Sequence, residues 1–252
     1  MHIFGEVLRW LTTGAHWHGP DGIPIRVAEH VEVSFASVAA AVACAVPIGL
    51  FVGHRRKGEF LAISIANVGR AVPSFAVLVL VYTIMLRFIP SIAFGFGPGF
   101  VALTLLAIPP ILTNAYVGVE NVDPDIVEAA RGMGMRERDV LLRLEVPLAA
   151  PLILGGIRTA AVQVVATATL VALIGGGGLG RFIVDGFAQG DTVMTVAGAV
   201  LIALLAILVE VVMAVVQRTL SPKQASRESR ARRARLTDRG VLPPQLGPLG
   251  EA

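Results

Sequence analysis

Long apolar runs without charge limit what this sequence can fold into. Residues 33–53 contain no charged side chain, and a helix of that length crosses the hydrocarbon of a bilayer, which is about 30 Å thick. Hydrophobic residues make up 55% of the 252 residues and charged residues only 15%, whereas soluble domains carry about 25% charged residues. The sequence therefore predicts an all-α, polytopic membrane protein.

Five membrane spans are predicted, at residues 33–53, 60–86, 100–119, 152–174 and 192–216. The second is interpreted as one span kinked at Pro73, with two shorter helices as the alternative. The third contains Pro109 and Pro110, which a membrane helix tolerates only where neighbouring protein satisfies the freed backbone groups. The fifth contains Glu210, for which a structural contact with Gln217 or Arg218 is favoured over a functional role.

A polar segment, residues 123–147, separates spans three and four and is called the polar loop below. Asp123 is a suitable N-cap, and Pro124 is a suitable first residue of a helix. Glu128 and Arg131 are spaced to pair on one face of that helix. Glycines at 132 and 134 then allow the helix to end or to turn sharply.

Beyond that turn, the sequence predicts a second short helix over residues 136–143. Val140, Leu141 and Leu144 would form its apolar stripe. Pro147 and Pro151 would mark the entry into the fourth span. On these features alone, an ordinary amphipathic surface loop is an equal alternative.

The polar loop resembles the EAA loop of the permease subunits of bacterial ABC importers. That family's pattern is Glu-Ala-Ala, three residues, Gly, nine residues and then Ile-x-Leu-Pro. The residues that match by type and spacing are Glu128, Ala129, Ala130, Gly134 and Pro147. Leu144 and Val146 stand where the pattern has Ile and Leu, and Gly132 lies within the loop. The resemblance implies that the polar loop is cytoplasmic and couples the chain to an ATPase.

The resemblance covers residues 29–217 and implies an ABC transmembrane domain between an external N-terminal segment (1–28) and a cytoplasmic tail (218–252). It implies as partners a cytoplasmic ATPase dimer, a second permease subunit of the same or a homologous chain, and an external substrate-binding protein. The chain would be a transporter subunit of the bacterial cell membrane and not an enzyme. A membrane channel is the alternative from another class, but a channel has no need for the spacing from Glu128 to Pro147.

Residues 67–74 and 175–180 resemble segments of betaine- and methionine-type permeases, and residues 109–118 resemble a segment of betaine permeases. As a whole, the chain resembles permeases for glycine betaine, choline, carnitine and proline-type osmoprotectants. Arg70 and Thr113 depart from that pattern, in which Gln and Arg are the more usual residues. The resemblance implies an osmoprotectant permease, with a methionine or other amino-acid permease as the alternative.

Six residues are candidates for a transport pathway or its gating: Arg70, Pro73, Asn114, Gln163, Gly178 and Gly180. Arg70 could line an aqueous path, but snorkelling to lipid headgroups or pairing is favoured. Asn114 is favoured as a residue that hydrogen-bonds between helices. Gln163 suits either a helix contact or a hydrated path.

The glycine run at residues 175–180 satisfies G-x-G-x-x-G, but a dinucleotide site is rejected. A membrane span precedes the run instead of a strand, and no acidic residue follows about 20 positions later. Gly178 and Gly180 are expected to allow a tight turn and close backbone packing. Because no G-x-x-x-x-G-K-[ST] occurs either, an ATP-driven process would need its motor on another polypeptide.

Neither a metal site nor a cofactor is expected. His16 and His18 flank Trp17, but residues two apart do not share a helix face, and no third ligand lies nearby. The single cysteine, Cys44, excludes an internal disulfide and is interpreted as a packing residue.

The distribution of basic residues agrees with a cytoplasmic polar loop. Arg55, Arg56, Lys57, the arginines of the polar loop and the basic tail all fall on that side, which places the N-terminus outside and the C-terminus inside. The tail from residue 221 is expected to be disordered and to lie against anionic headgroups. Binding to nucleic acid is disfavoured, because no folded framework accompanies the charge.

Overall fold

The computed structural model describes residues 2–56, 60, 64, 69 and 71–220, and within these residues it contains helices and turns but no strand. The α-helices are α1 (His2–Thr12), α2 (Ile23–Arg55), α3 (Ser74–Phe88), α4 (Phe96–Glu120), α5 (Pro124–Gly132), α6 (Glu137–Asp139), α7 (Val146–Thr167), α8 (Gly180–Gln189) and α9 (Thr192–Leu220). A π-helical segment, Val140–Glu145, joins α6 to α7. Short 3-10 segments are Gly14–Trp17, Pro90–Ile92 and Ala168–Ile174. Arg70, Lys57 and the tail from residue 221 lie outside the described residues.

Four of the described helices are long and apolar enough to cross a membrane: Ile23–Arg55, Phe96–Glu120, Glu137–Ile174 and Thr192–Leu220. Helix α3 is a shorter apolar helix, so the described chain agrees with the prediction of about five spans. The backbone leaves helical geometry at Pro73, which is the N-cap of α3. The prediction of one helix that is kinked at Pro73 is therefore wrong at this residue, because the backbone is not helical there and α3 begins only at Ser74.

The first span begins ten residues before the predicted start at residue 33, since α2 starts at Ile23. The predicted N-terminal segment, residues 1–28, therefore overlaps the first turns of α2, which begins after Gly22. The predicted start is too late because the first turns of α2 contain charged residues, which the hydropathy pattern places outside the span. Arg26 pairs with Asp21 and with Glu29, so these charges have partners and do not prevent a helix.

Helices α2, α4 and α7 form the centre of the fold and pack through small residues. Ala41 and Ala45 of α2, Ala107 of α4 and Ala160 of α7 are fully buried in one cluster. Gly53 of α2 approaches α4 so closely that an added Cβ would lie 2.8 Å from the Tyr116 carbonyl oxygen. Small residues let membrane helices approach each other, so van der Waals contact can hold them together in lipid.

The two prolines of α4 are buried inside this centre. Asn114 donates from Nδ2 to the Pro110 carbonyl at 2.8 Å, and Gly156 of α7 packs against both residues. The surrounding protein thus tolerates the proline pair in the way expected for a membrane helix. The hydrogen bond of Asn114 stays within α4, whereas one between helices was predicted.

Three local predictions need correction or comment. Cys44 is exposed on α2, so its interpretation as a packing residue is wrong. Asp185 lies between the fourth and fifth predicted spans, where the sequence predicts an external loop, but it is part of α8 and pairs with Arg181 at 2.5 Å. His16 stacks on Trp10 at 4.0 Å and bonds to its carbonyl, and the described residues contain no cluster of potential metal ligands.

Candidate functional site

The polar loop begins as its local sequence predicts. The Asp123 side chain accepts a hydrogen bond from the Asp125 amide at 2.9 Å, and Pro124 occupies the first turn of α5. This contact satisfies one of the amides that a helix N-terminus leaves free, and proline costs nothing where no amide partner exists. Asp123 and Pro124 therefore set where the loop helix starts.

Gly134 sets where that helix ends. Its φ is +85°, in the left-handed region that favours glycine. The Met135 amide donates to the Ala130 carbonyl at 3.2 Å, and the Gly134 amide donates to the Arg131 carbonyl at 2.9 Å. This pair of bonds is a Schellman motif, and it confirms that the chain turns sharply after Gly132.

Arg131 does not pair with Glu128 as predicted. Instead its guanidinium forms two parallel hydrogen bonds, each 2.9 Å, to the carboxylate of Glu137 across the turn. These bonds raise the pKa of Arg131 above its ordinary value. The turn at Gly134 brings Glu137 beside Arg131 in a bidentate geometry that an i,i+3 pair does not offer. Glu128 and Ala129 are left exposed on the outer side of α5.

The second helix of the polar loop is not separate from the fourth span. Residues from Glu137 to Ile174 form one continuous helical stretch, so the predicted span start at about residue 152 is wrong. Pro147 lies in the first turn of α7, in agreement with its predicted place at the entry into the span. The stretch widens to a π-helix at Val140–Glu145, which ends two residues before Pro147. A wider turn there relieves the clash that the proline ring would cause with the preceding turn.

A small apolar cluster supports the polar loop from beneath. Val127 and Ala130 of α5 pack on Val122 and Val140, with Met135, Leu144 and Leu148 against them. Met133, at the tip of the turn, is 78% exposed. The loop is thus a folded unit with a buried face and an outward face that carries Glu128, Ala129 and Met133.

The end of α2 is tied to the polar loop by residues that the sequence analysis missed. His54 Nδ1 donates to Glu145 Oε2 at 2.6 Å, and its Nε2 lies 3.2 Å from Glu137 Oε2. Arg56 donates to the Val122 carbonyl at 3.2 Å. His54 adjoins the basic residues Arg55, Arg56 and Lys57, and Glu145 occupies the unspecified position of the motif, so neither residue stood out from its neighbours.

The glycine run at the other end of the fourth span forms a turn held by α2. Gly178 has a φ of +88°, and its amide donates to Glu29 Oε2 at 2.7 Å. Gly180 lies against the Thr169 carbonyl, and an added Cβ would also lie 3.0 Å from the Cβ of Ala172. These contacts agree with the predicted tight turn and close packing.

Beside this turn, His30 is fully buried and bonds through Nε2 to the Val165 carbonyl at 2.9 Å. The fourth span changes from α-helix to 3-10 helix at Ala168. Where an α-helix ends, its last carbonyls lose their usual amide donors. The Val165 carbonyl is one of these, and the His30 ring provides its hydrogen-bond partner. No local pattern around His30 distinguishes it from its neighbours.

A polar groove lies between α7 and α9. Its volume is 560 Å³, and it is lined by Gly155, Arg158, Thr159, Val162, Gln163, Glu210 and Gln217. Arg158 pairs with Glu210 and donates to Gln217 Oε1 at 3.1 Å. Glu210 is therefore paired with Arg158. The prediction named Gln217 or Arg218 as its contact and missed Arg158.

The structure brings the predicted loop residues together but scatters the predicted pathway residues. Glu128, Ala129, Ala130, Gly132 and Gly134 lie in one helix and its turn. Gln163 lines the groove between α7 and α9, and Gly178 and Gly180 lie in the turn after the fourth span. Asn114 is a residue of α4 whose side chain faces Gly156 of α7. Arg70 lies outside the described residues, and Pro73 caps α3 on an exposed surface.

The described chain is a bundle of apolar helices, four of them long enough to cross a membrane, with a folded polar loop between α4 and α7. Residues 45–225 match the family model described as the inner membrane component of binding-protein-dependent transport systems. The match covers most of the chain, and the chain belongs to this family.

Curated relatives cover nearly the same region. The choline transport system permease protein OpuBB of Bacillus subtilis (strain 168) is 37% identical over 77% of this chain and 86% of the relative. The glycine betaine/carnitine/choline permease OpuCB of the same organism is 35% identical over 79% and 88%. The carnitine transport permease OpuCB of Listeria monocytogenes is 36% identical over 80% and 89%.

Solved structures share the fold. An inward-facing structure of the MetNI methionine ABC transporter superposes with a TM-score of 0.70, at 21% identity, over 79% of this chain and 96% of that chain. An amino acid ABC transporter solved with histidines gives a TM-score of 0.62 at 20% identity, over 77% and 92%. The chain is a multi-pass permease subunit of an ABC importer, and this membership implies a separate ATPase and a substrate-binding protein as partners.

Proposed function

We propose that this chain is the permease through which an ATP-driven importer moves quaternary-ammonium osmoprotectants such as choline, glycine betaine and carnitine. The observation that carries the proposal is the 35–37% identity to three permeases named for these compounds, each over at least 77% of this chain. A methionine or other amino-acid permease is the alternative. This alternative has weaker support, because the methionine transporter is only 21% identical to this chain and the likeness shows only a shared fold.

The polar loop is proposed as the docking element for the ATPase. Its outward face carries the exposed Glu128, Ala129 and Met133, and these side chains are accessible to a protein partner. Because the loop continues into the fourth span without a break, a push on the loop moves that span. Leu144 packs beneath the loop, and Pro147 lies just beyond the π-helix.

A second permease subunit is proposed to lie against the groove between α7 and α9. Gln163 is exposed, and Arg158 and Glu210 are 33% and 41% exposed, although both helices have the length and hydropathy of membrane spans. Polar groups at that depth are costly against lipid. A second copy, or a homologous chain, would cover them or share a hydrated path with them.

The proposed orientation places the polar loop in the cytoplasm. Residues 1–28 then lie outside, except that the helix of the first span already begins at Ile23. Residues 29–217 form the transmembrane domain, and residues 218–252 form a basic cytoplasmic tail. The many arginines on the loop side support this assignment.

Reconstitution tests the proposal. The chain is placed in liposomes with its ATPase and binding protein, and uptake of labelled choline, glycine betaine and methionine is measured with and without ATP. We expect ATP-dependent uptake of choline or glycine betaine and no methionine uptake. ATP-dependent methionine uptake alone would replace the substrate class, and choline flux without ATP or partners would indicate a channel.

A further inference from the structure

His54 is the point at which α2 meets the polar loop, and both of its ring nitrogens face carboxylates. Nδ1 donates to Glu145 at 2.6 Å, and Nε2 lies 3.2 Å from Glu137. The His54 side chain is 10% exposed, and that of Glu145 is 3% exposed. A neutral imidazole has only one N–H, so only the positively charged ring donates to both carboxylates.

The other charged groups around His54 do not replace it. On its own helix, Arg55 lies over the Phe51 ring at 5.2 Å, and Arg56 bonds to the Val122 carbonyl. On the loop side, Arg131 donates to Glu137. Within the described residues, His54 is thus the basic side chain in contact with the buried Glu145, and a buried carboxylate needs a hydrogen-bond donor.

We infer that His54 is a positioning residue that fixes the polar loop against α2 by holding Glu137 and Glu145 together. The inference rests on the proposed role of the polar loop as the docking element for the ATPase. His54 contacts neither substrate nor nucleotide. It acts through Glu137, which also holds Arg131, so one series of contacts runs from α2 to the helix that carries Glu128.

Removing the ring would take this partner from both carboxylates, and the buried Glu145 would be left without a compensating donor. A lysine at the same position would still supply a donor to these carboxylates.

The functional test uses the full complex in liposomes, with ATP hydrolysis stimulated by choline-loaded binding protein as the readout. We expect His54→Gln to lower the stimulation by about tenfold, while Arg55→Gln, the neighbouring control, keeps it. His54→Lys, which keeps a donor at this position, should retain more of the stimulation than His54→Gln. Normal stimulation in His54→Gln, or an equal loss in His54→Gln and His54→Lys, would overturn the inference.

A second measurement reports the position of the loop without transport. Arg136 and Arg138 are exposed, so trypsin added to the loop side of membranes should cleave there faster in His54→Gln and in Glu145→Gln. The double variant should be cleaved no faster than either single one. If Glu145→Gln fails to insert, Glu137→Gln, whose side chain is 60% exposed, takes its place in the cycle.

The two measurements separate this inference from the proposed function. If the unmodified complex takes up no choline but the cleavage pattern is as expected, the proposed function fails and the role of His54 in holding the loop stands. If choline uptake is normal and His54→Gln leaves both cleavage and stimulation unchanged, the inference fails alone.

Discussion

Arg158 of α7 and Glu210 of α9 form an ion pair between two helices that both have the length and hydropathy of membrane spans, 52 residues apart in sequence. Arg158 Nε donates to Glu210 Oε2 at 3.0 Å. A further contact between the same two helices is the hydrogen bond from Gln217 of α9 to the Pro151 carbonyl of α7, at 3.0 Å. These contacts fasten the last helix to the fourth span.

Removing one partner of this pair should weaken the fold more than removing both. Arg158→Leu or Glu210→Leu leaves an uncompensated charge between apolar helices, whereas the double variant leaves none. We expect each single variant to lower the Tm of the detergent-solubilised protein and the double variant to recover part of the loss. Arg181→Leu is the control, because Arg181 pairs within one helix. Equal Tm values for single and double variants would show that the pair does not hold the helices.

Gly134→Val should damage coupling more than Glu128→Ala. A β-branched residue at a φ of +85° costs roughly 1–2 kcal/mol and would break the turn that brings Glu137 to Arg131. Glu128 is exposed and makes no ion pair with Arg131, so its loss should be milder. The measurements are co-purification of the ATPase and stimulated ATP hydrolysis in liposomes.

Gly132→Ala is the matched control for the Gly134 variant. Gly132 lies two residues earlier in the same loop, has helical geometry, and has open space where a Cβ would be. Alanine there should be neutral or slightly stabilising. If Gly134→Val kept normal uptake and stimulation, the polar loop would not be the coupling element.

Valine at Gly178 or Gly180 should impair assembly or gating. At Gly178, a side chain meets both a positive φ and the His30 ring, whose Nδ1 would lie 3.0 Å from the added Cβ. Gly190 has a similar φ of +70° but open space around it, so Gly190→Val should cost less. The readouts are the yield of folded protein and choline uptake. The isolated subunit should bind neither NAD nor ATP, and measurable binding would reverse the interpretation of the glycine run.

Cysteine labelling should show which face is outside. In a Cys44→Ala background, a cysteine at Ser91 should react with an impermeant thiol reagent added outside, and one at Arg136 should not. Ser91 is exposed and suits cysteine better than Gly95, whose φ of +74° strains any side chain. Labelling at both positions, or only at Arg136, would contradict the proposed orientation.

Local chemistry predicted the start and the end of the first loop helix. Asp123 and Pro124 are suited to their positions whatever surrounds them, and Gly134 permits a backbone conformation that other residues resist. The apolar runs likewise predicted the spans, because lipid imposes their length. These features depend on neighbours within a few residues, which a sequence displays directly.

Contacts between distant segments escaped the sequence analysis. The pairing of Arg131 with Glu137 requires the turn at Gly134, and the pairing of Arg158 with Glu210 requires two spans to pack. The early start of α2 was hidden because the partner of Glu29 is the amide of Gly178. Nothing in the local pattern distinguishes a charge that has such a partner from one that ends a span.

Helix α2 holds the fourth span near both of its ends. Glu29 accepts a hydrogen bond from the amide of Gly178, and His54 contacts Glu145 in the π-helical segment. At about 1.5 Å per residue, these two attachment points are roughly 37 Å apart along the axis of α2. Pro47 lies between them and lacks an amide for the helical ladder. One helix therefore connects the two ends of the fourth span, so a rigid movement of α2 would act on both ends at once.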